Sequence, residues 1–390
     1  MPKRDDPVVI AGAGPAGSTL AIRLRKLGLD VTLIERYKFP RQKLCGEFIS
    51  PECLRHFDDL GVLGKMLSAG GDRIHETIFY ETGGRKISVP SRWFDDGGFA
   101  LSLSRARMDE ILLNAARHAG VTVLEETKVT GLLKENGSIR GVKVRDSGGK
   151  TREIGAAMTV DATGRARVLS RLADKLTAHK EPKPRFVGFK AHFTGVEMSA
   201  GACEMYAFRG GYAGLSFVEG GEANLCFIAR SSLLDGTSDT DDILKKLTKQ
   251  NVRARRTLAS AEKAHDWLAV SVPAFGLNQF PAVDGLFAVG DSAAFVDPFT
   301  GSGMLLAIES AMALAECISA AGTDPDVVRS RYTHIYETRF SSRLKISGLI
   351  RYVAYEPLLS TAAVLTLSAS RRLRESLARS TRSTRSTESL

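Results

Sequence analysis

The chain lacks most of the signals that mark a disulfide scaffold, a zinc protein or a membrane span. Its five cysteines (Cys45, Cys53, Cys203, Cys226 and Cys317) are odd in number, widely spaced and contain no C-x-x-C pair. That argues against a disulfide framework and a zinc site, and for a reducing compartment. The seven histidines are scattered as well. No apolar run reaches the ~20 residues that a spanning helix needs, and Met1 to Pro7 is polar where a signal peptide would be apolar. The expected location is cytoplasmic, or peripheral at the inner face of the membrane. Tryptophan occurs only at Trp93 and Trp267, and no Lys/Arg run is interleaved with aromatics. The net charge of +10 therefore does not read as a nucleic-acid surface. Four of those ten charges are terminal, because six arginines after residue 370 face only Glu375 and Glu388.

What is present is ordinary globular composition, with 43% apolar residues, over 390 positions. That length exceeds one ordinary core, so two interleaved domains are expected. Val8 to Ala11 reads as a buried strand, 15–27 as a helix ending at Gly28, and Val31 to Ile34 as a second strand. A loop-rich stretch is expected to about Gly71. Strands are predicted at 78–80, 86–89, 121–124, 129–133, 141–145 and 158–160, with a helix at 105–119. Residues 186–230 are β-rich. Helices are predicted at 241–258, 260–268 and 303–320, a strand at 286–289, and further helices to about Leu377 before a Ser/Thr/Arg-rich tail.

Two motifs carry chemistry. Gly12-Ala13-Gly14-Pro15-Ala16-Gly17 follows a strand and opens a helix. In a dinucleotide site Gly12 permits the tight turn, Gly14 lacks a Cβ that would block the pyrophosphate, and Gly17 lets helix pack on sheet. Glu35, with Arg36 beside it, ends the second strand eighteen residues after Gly17, where a ribose-binding carboxylate is expected. This fingerprint alone does not separate FAD from NAD. The second motif runs from Leu286 through Gly290-Asp291 to Asp297-Pro298, Gly301, Gly303 and Met304. There Asp291 can accept hydrogen bonds from ribityl hydroxyls, Pro298 and Gly301 shape a turn, and Gly303 admits backbone close to an isoalloxazine ring. The following helix aims its positive end at the flavin. This motif favours FAD.

With both motifs the chain resembles the FAD-dependent superfamily of geranylgeranyl reductases, flavin monooxygenases and flavin halogenases, over roughly residues 7–325. The resemblance implies an α/β, two-domain fold: a glutathione-reductase-like FAD-binding Rossmann domain (1–72, 101–180 and 277–325) with an inserted antiparallel β-sheet substrate domain (73–100 and 181–276). C-terminal helices (326–377) and a disordered basic tail (378–390) would follow. The Arg-x-x-x-Asp pattern at Arg105 and Asp109 is similar to the family's flavin-side arginine, and the backbone of Val129 falls where the family touches adenine. Lys43-Leu44-Cys45-Gly46-Glu47-Phe48 resembles the Cys-Gly segment that geranylgeranyl reductases place beside the flavin. It implies a catalytic Cys45, with Gly46 and Phe48 as backbone contacts.

Three departures bear on the reaction. Thr163 stands where aromatic hydroxylases carry a nicotinamide-linked Asp, and neither Trp93 nor Trp267 lies in the Trp-x-Trp-x-Ile-Pro segment that halogenases need with a catalytic lysine. The isoprenoid-reductase motif keeps only its tyrosine, at Tyr212, while Gly214 would widen the pocket wall. The resemblance thus implies reduction of C=C bonds in an isoprenoid or related lipid, with hydride from reduced flavin and a proton from Cys45, Tyr212 or water. Two alternatives stay open: hydroxylation of an aromatic or polyketide-type substrate, and a cyclase or isomerase without net redox. NAD(P)H or a small redox protein would donate electrons. Residues 358–385, an apolar stretch followed by arginines, are compatible with peripheral membrane association.

Overall fold

The computed structural model describes residues 6–95, 97–174, 185–234, 239–272, 275–277, 283–322 and 324–382. Short apolar runs (Val8–Ala11, Val31–Ile34, Thr122–Leu124, Met158–Asp161 and Leu286–Ala288) form one five-stranded sheet, all parallel, with Val8–Ala11 at its centre. A parallel sheet buries both faces, which is why these strands are continuous rather than alternating in hydropathy. Helices Pro15–Lys26 and Gly303–Ala321 pack together on one face. The 303–321 helix is long and apolar enough to cross a membrane, yet two thirds of it is buried in this core. The other face is covered by a three-stranded antiparallel sheet, Thr127–Glu135, Ser138–Asp146 and Thr151–Gly155.

The second large sheet has eight strands and is antiparallel apart from the parallel pairing of Ala202–Phe208 with Glu76–Tyr80. Side chains alternate across it. Tyr206 and Phe227 pack under helices Thr240–Thr248 and Val252–Thr257, with Glu204 bonded to Arg253, Tyr206 and Thr257 on that side. Cys203, Met205 and Tyr212 face the opposite way, toward Phe295 and Tyr355. Helices Ser341–Ala354, Pro357–Ala369 and Arg371–Ser380 lie over this second face.

The structure departs from the sequence expectations at four places. Residues 260–268 are not a helix. Glu262–Lys263 pairs with Phe193 and Thr194 at the sheet edge, and Leu268–Val272 pairs with Phe186 to Lys190. Trp267 fixes this segment, packing on Phe193 and Phe227 and donating to Asp241 at 2.7 Å. The expected 241–258 helix is broken because the Asn251 side chain accepts from the N–H groups of Arg253 and Ala254, capping a new helix. The stretch before Gly71 contains helices Pro51–Asp59 and Leu63–Ser68, the first opening on proline as helices commonly do. Finally, the last helix runs to Ser380, and Arg382 is buried against Glu52 (3.3 Å) and over the Phe94 ring. The remainder of the expected tail, 383–390, lies outside the described residues.

Candidate active site

The glycine fingerprint is held by steric necessity. A Cβ on Gly12, whose φ is +104°, would lie 2.3 Å from the Ala162 carbonyl oxygen. One on Gly17 would lie 1.9 Å from the Gly12 oxygen, so helix, turn and neighbouring strand can close up only with glycine at both positions. Beyond Gly14 lie two cations instead of packing atoms: Arg105 Nη2 at 3.7 Å and Lys43 Nζ at 3.9 Å from the point a Cβ would occupy. A glycine-lined helix N-terminus faced by a guanidinium and an ammonium fits the pyrophosphate of a dinucleotide. Ala13 donates its N–H to Glu35 at 3.0 Å, which ties the end of the second strand to this loop. Arg36 is exposed with its guanidinium over Tyr37. Val129 is buried opposite Val144, two residues from Thr127, whose N–H donates to the Glu35 carbonyl.

Arg105 is buried and bidentate on Asp109 (2.8 and 2.6 Å). Burial works against its charge, but Asp109 and the adjacent Cys45 sulfur more than reverse that, and the guanidinium stays protonated. Lys43 is pulled down to about 8 by burial and then by Arg105. Asp291 sits near the same cations; burial pushes its carboxyl up, against the pull of Arg165, Lys43 and Arg105. The structure therefore brings Gly14, Lys43, Arg105 and Asp291 to one place from three distant chain segments. Neither Lys43 nor Arg165 stands out in the sequence, although Lys43 lies inside the quoted Cys-Gly segment.

Cys45 is half-buried; its carbonyl accepts from Asn224 and its sulfur from the Glu47 N–H at 3.4 Å. Gly46 is exposed, and Phe48 packs where a Cβ on Gly301 would be, 2.9 Å away. Gly301 adopts φ +63° and closes the turn before the long helix, whose first residues are Gly303 and Met304. Met304 is buried in the core among other apolar side chains.

Next to Cys45 lies a buried ionic cluster that is not among the sequence expectations. Glu47 is fully buried, has φ +56°, and accepts from the Arg105 N–H (2.8 Å), His192 Nε2 (2.9 Å) and Lys190 Nζ. Burial pushes its carboxyl up, and the His192 hydrogen bond with the Lys190 charge more than reverses this, holding it below the usual range. Lys190 and His192, two apart on one strand among Phe189, Ala191 and Phe193, were the available signal.

Between this segment and the C-terminal helices lies a cavity of about 590 Å³. Leu44 and Phe48 line one end, Met205 and Tyr212 the sheet wall, and Val353 and Val364 the helical wall. The Tyr212 hydroxyl donates to Asp297 at 2.9 Å. Burial, then Asp297, raises the tyrosine well above its ordinary value; burial also raises Asp297 to about 6. Thr163, by contrast, is structural: its N–H and hydroxyl both donate to the buried Asp161 (3.0 and 2.6 Å).

Comparison with known proteins bears on the fold and the family. A digeranylgeranylglycerophospholipid reductase of Methanosarcina mazei is 28% identical over 345 residues, covering 85% of this chain and 80% of the relative. A flavin-dependent brominase superposes with a TM-score of 0.84 at 22% identity, over 96% of this chain and 93% of that one. A geranylgeranyl bacteriochlorophyll reductase-like protein of Thermoplasma acidophilum does so with 0.77 at 20% identity, over 95% and 97%. At such identities the two structures speak for the fold alone. The model of the FAD binding domain family matches residues 5–331, and with it the chain belongs to that family of flavin-dependent oxidoreductases.

Proposed function

We propose that the protein reduces C=C bonds of an isoprenoid or related large apolar lipid. The observation that carries this reading is the cavity, which begins at the Leu44–Phe48 segment beside the cofactor motifs and continues between the sheet and the C-terminal helices. Its volume lies within the 300–1,000 Å³ or so typical of small-molecule sites, and its walls are mainly aliphatic and aromatic. The relative named as a lipid reductase supports the substrate class.

In this reading residues 1–72, 101–180 and 277–325 bind FAD, and 73–100 with 181–276 hold the substrate. Bound FAD supplies the hydride, with NAD(P)H or a small redox protein as electron donor. Arg105 and Lys43 take the pyrophosphate, Glu35 the ribose and Asp291 the ribityl chain. Proton delivery falls to Cys45 or Tyr212. Tyr212 lines the cavity and its hydroxyl donates to Asp297, which holds that hydroxyl in place as a candidate proton donor. The exposed Leu349, Tyr352, Leu358, Leu359 and Leu365 would rest on a lipid surface, with Arg371, Arg372 and Arg379 toward anionic headgroups.

The deciding experiment is turnover under argon with dithionite-reduced protein and a geranylgeranyl lipid, read by mass spectrometry. A gain of two hydrogens per reduced bond is expected. Product that forms only with stoichiometric O₂ would establish the hydroxylase alternative instead, and product without consumption of reductant the isomerase.

A further inference from the structure

Outside the cofactor site, three side chains converge at the edge of the large sheet. His192 projects from the Phe186–Thr194 strand and is buried; Glu222 precedes the Ala223–Arg230 strand and is partly exposed; His265 lies between the Glu262–Lys263 and Leu268–Val272 strands and is exposed. His192 Nδ1 lies 3.2 Å, and His265 Nε2 3.3 Å, from the same oxygen, Glu222 Oε2. All three donor atoms fall within 4.8 Å of one another.

The two contacts of the His192 ring make this arrangement informative. Its Nε2 faces the Glu47 carboxylate at 2.9 Å and donates to it. In the neutral ring Nδ1 then carries a lone pair, aimed at a carboxylate oxygen that is also an acceptor. Two acceptors at that distance repel unless a cation lies between them or the ring takes a second proton. The same reasoning applies to any neutral His265 tautomer with its lone pair on Nε2. We infer that His192, Glu222 and His265 form a divalent transition-metal site of the zinc type, with a fourth position open to water.

Metal geometry supports this. For zinc bonds of about 2.0–2.1 Å a tetrahedral edge is about 3.3 Å, the spacing found on both edges to Glu222. Two imidazoles and one carboxylate suit Zn²⁺ rather than Mg²⁺ or Ca²⁺. Glu47 is the outer carboxylate that fixes the tautomer and ring orientation of a metal-bound histidine. The donor-bearing segments are also fixed by backbone bonds, Ala264 N–H to the His192 carbonyl (2.8 Å) and Val218 N–H to the Glu222 carbonyl (2.8 Å). Closing the third edge requires only movement of the exposed His265 ring. A bound ion would staple the sheet edge beside the Glu47 cluster and is independent of the reaction proposed above.

The test is isothermal titration of the chelator-treated, FAD-loaded full chain with ZnCl₂, alongside thermal unfolding. One equivalent should bind with a Kd of about 10 μM or tighter and raise Tm, while MgCl₂ gives no heat. His265→Ala and Glu222→Gln, both at accessible side chains, should each weaken zinc binding about tenfold or more, with the flavin spectrum unchanged as the folding control. Absence of saturable zinc binding in that range, or equal affinity in wild type and both variants, overturns the site.

Discussion

The phosphate loop and the cavity wall obey different rules, and the difference explains what each can tolerate. At Gly12 and Gly17 backbone meets backbone within about one atom's width, so no other residue fits and the local conformation leaves a single solution. At the cavity, side chains of several sizes from the eight-stranded sheet and three helices meet around open volume. The first region fixes a cofactor and the second selects a substrate. Substitutions should therefore separate: those at the loop should abolish flavin binding, those at the cavity should change turnover while leaving the flavin in place.

The largest effect is expected from Gly12→Val. The new Cβ meets the Ala162 carbonyl oxygen in a left-handed backbone, and a loss of about 4 kcal/mol or more, with colourless protein, should appear in urea unfolding and flavin assay. Retained flavin would break the distinction. Next comes Lys190→Met, which leaves the buried Glu47 carboxylate with His192 and the Arg105 N–H but without its ammonium partner. About 3–5 kcal/mol should be lost, and adding Glu47→Gln should restore part of it.

Asp297 makes a prediction with a defined sign. Its folded pKa is raised from 3.8 to about 6, so between those values the folded state holds more protons than the unfolded one. Stability should fall as pH rises from about 4 to about 6, by about 3 kcal/mol from this group, and be flat above. Asp297→Asn should remove that slope; an unchanged slope places the titration elsewhere. Glu47 acts in the opposite direction: its depressed pKa gives stability that is present above the unfolded value and lost as pH falls through the folded one. The smallest effect is expected from Ala363→Trp, which intrudes into the cavity from the Pro357–Ala369 helix. Turnover of a long isoprenoid should drop about tenfold, or ~1.4 kcal/mol, with flavin content unchanged.

The same contrast governs what could be read from sequence. Gly12-x-Gly14-x-x-Gly17, Glu35 and Gly290-Asp291 are legible because each residue answers a local steric or charge requirement at fixed spacing. The parallel strands were legible as short apolar runs. The Glu47–Lys190–His192 cluster was not, because its members lie 143 and 145 residues apart and meet only when the sheet docks on the Cys45 segment. Residues 260–268 misread as a helix for a similar reason: edge pairing with the 186–194 strand and the docking of Trp267 override local preference. Arg382 looked like a solvated tail charge until Glu52 and Phe94, more than 280 positions earlier, closed around it.

The claim on which the functional reading rests is that the cavity reaches the flavin. Titrating oxidised, FAD-loaded protein with geranylgeraniol, while following the flavin band at about 450 nm, tests it directly. A saturable spectral shift is expected in wild type, and it should be weakened in Ala363→Trp. Lipid binding detected by calorimetry with no change in the flavin band, in either protein, would contradict it.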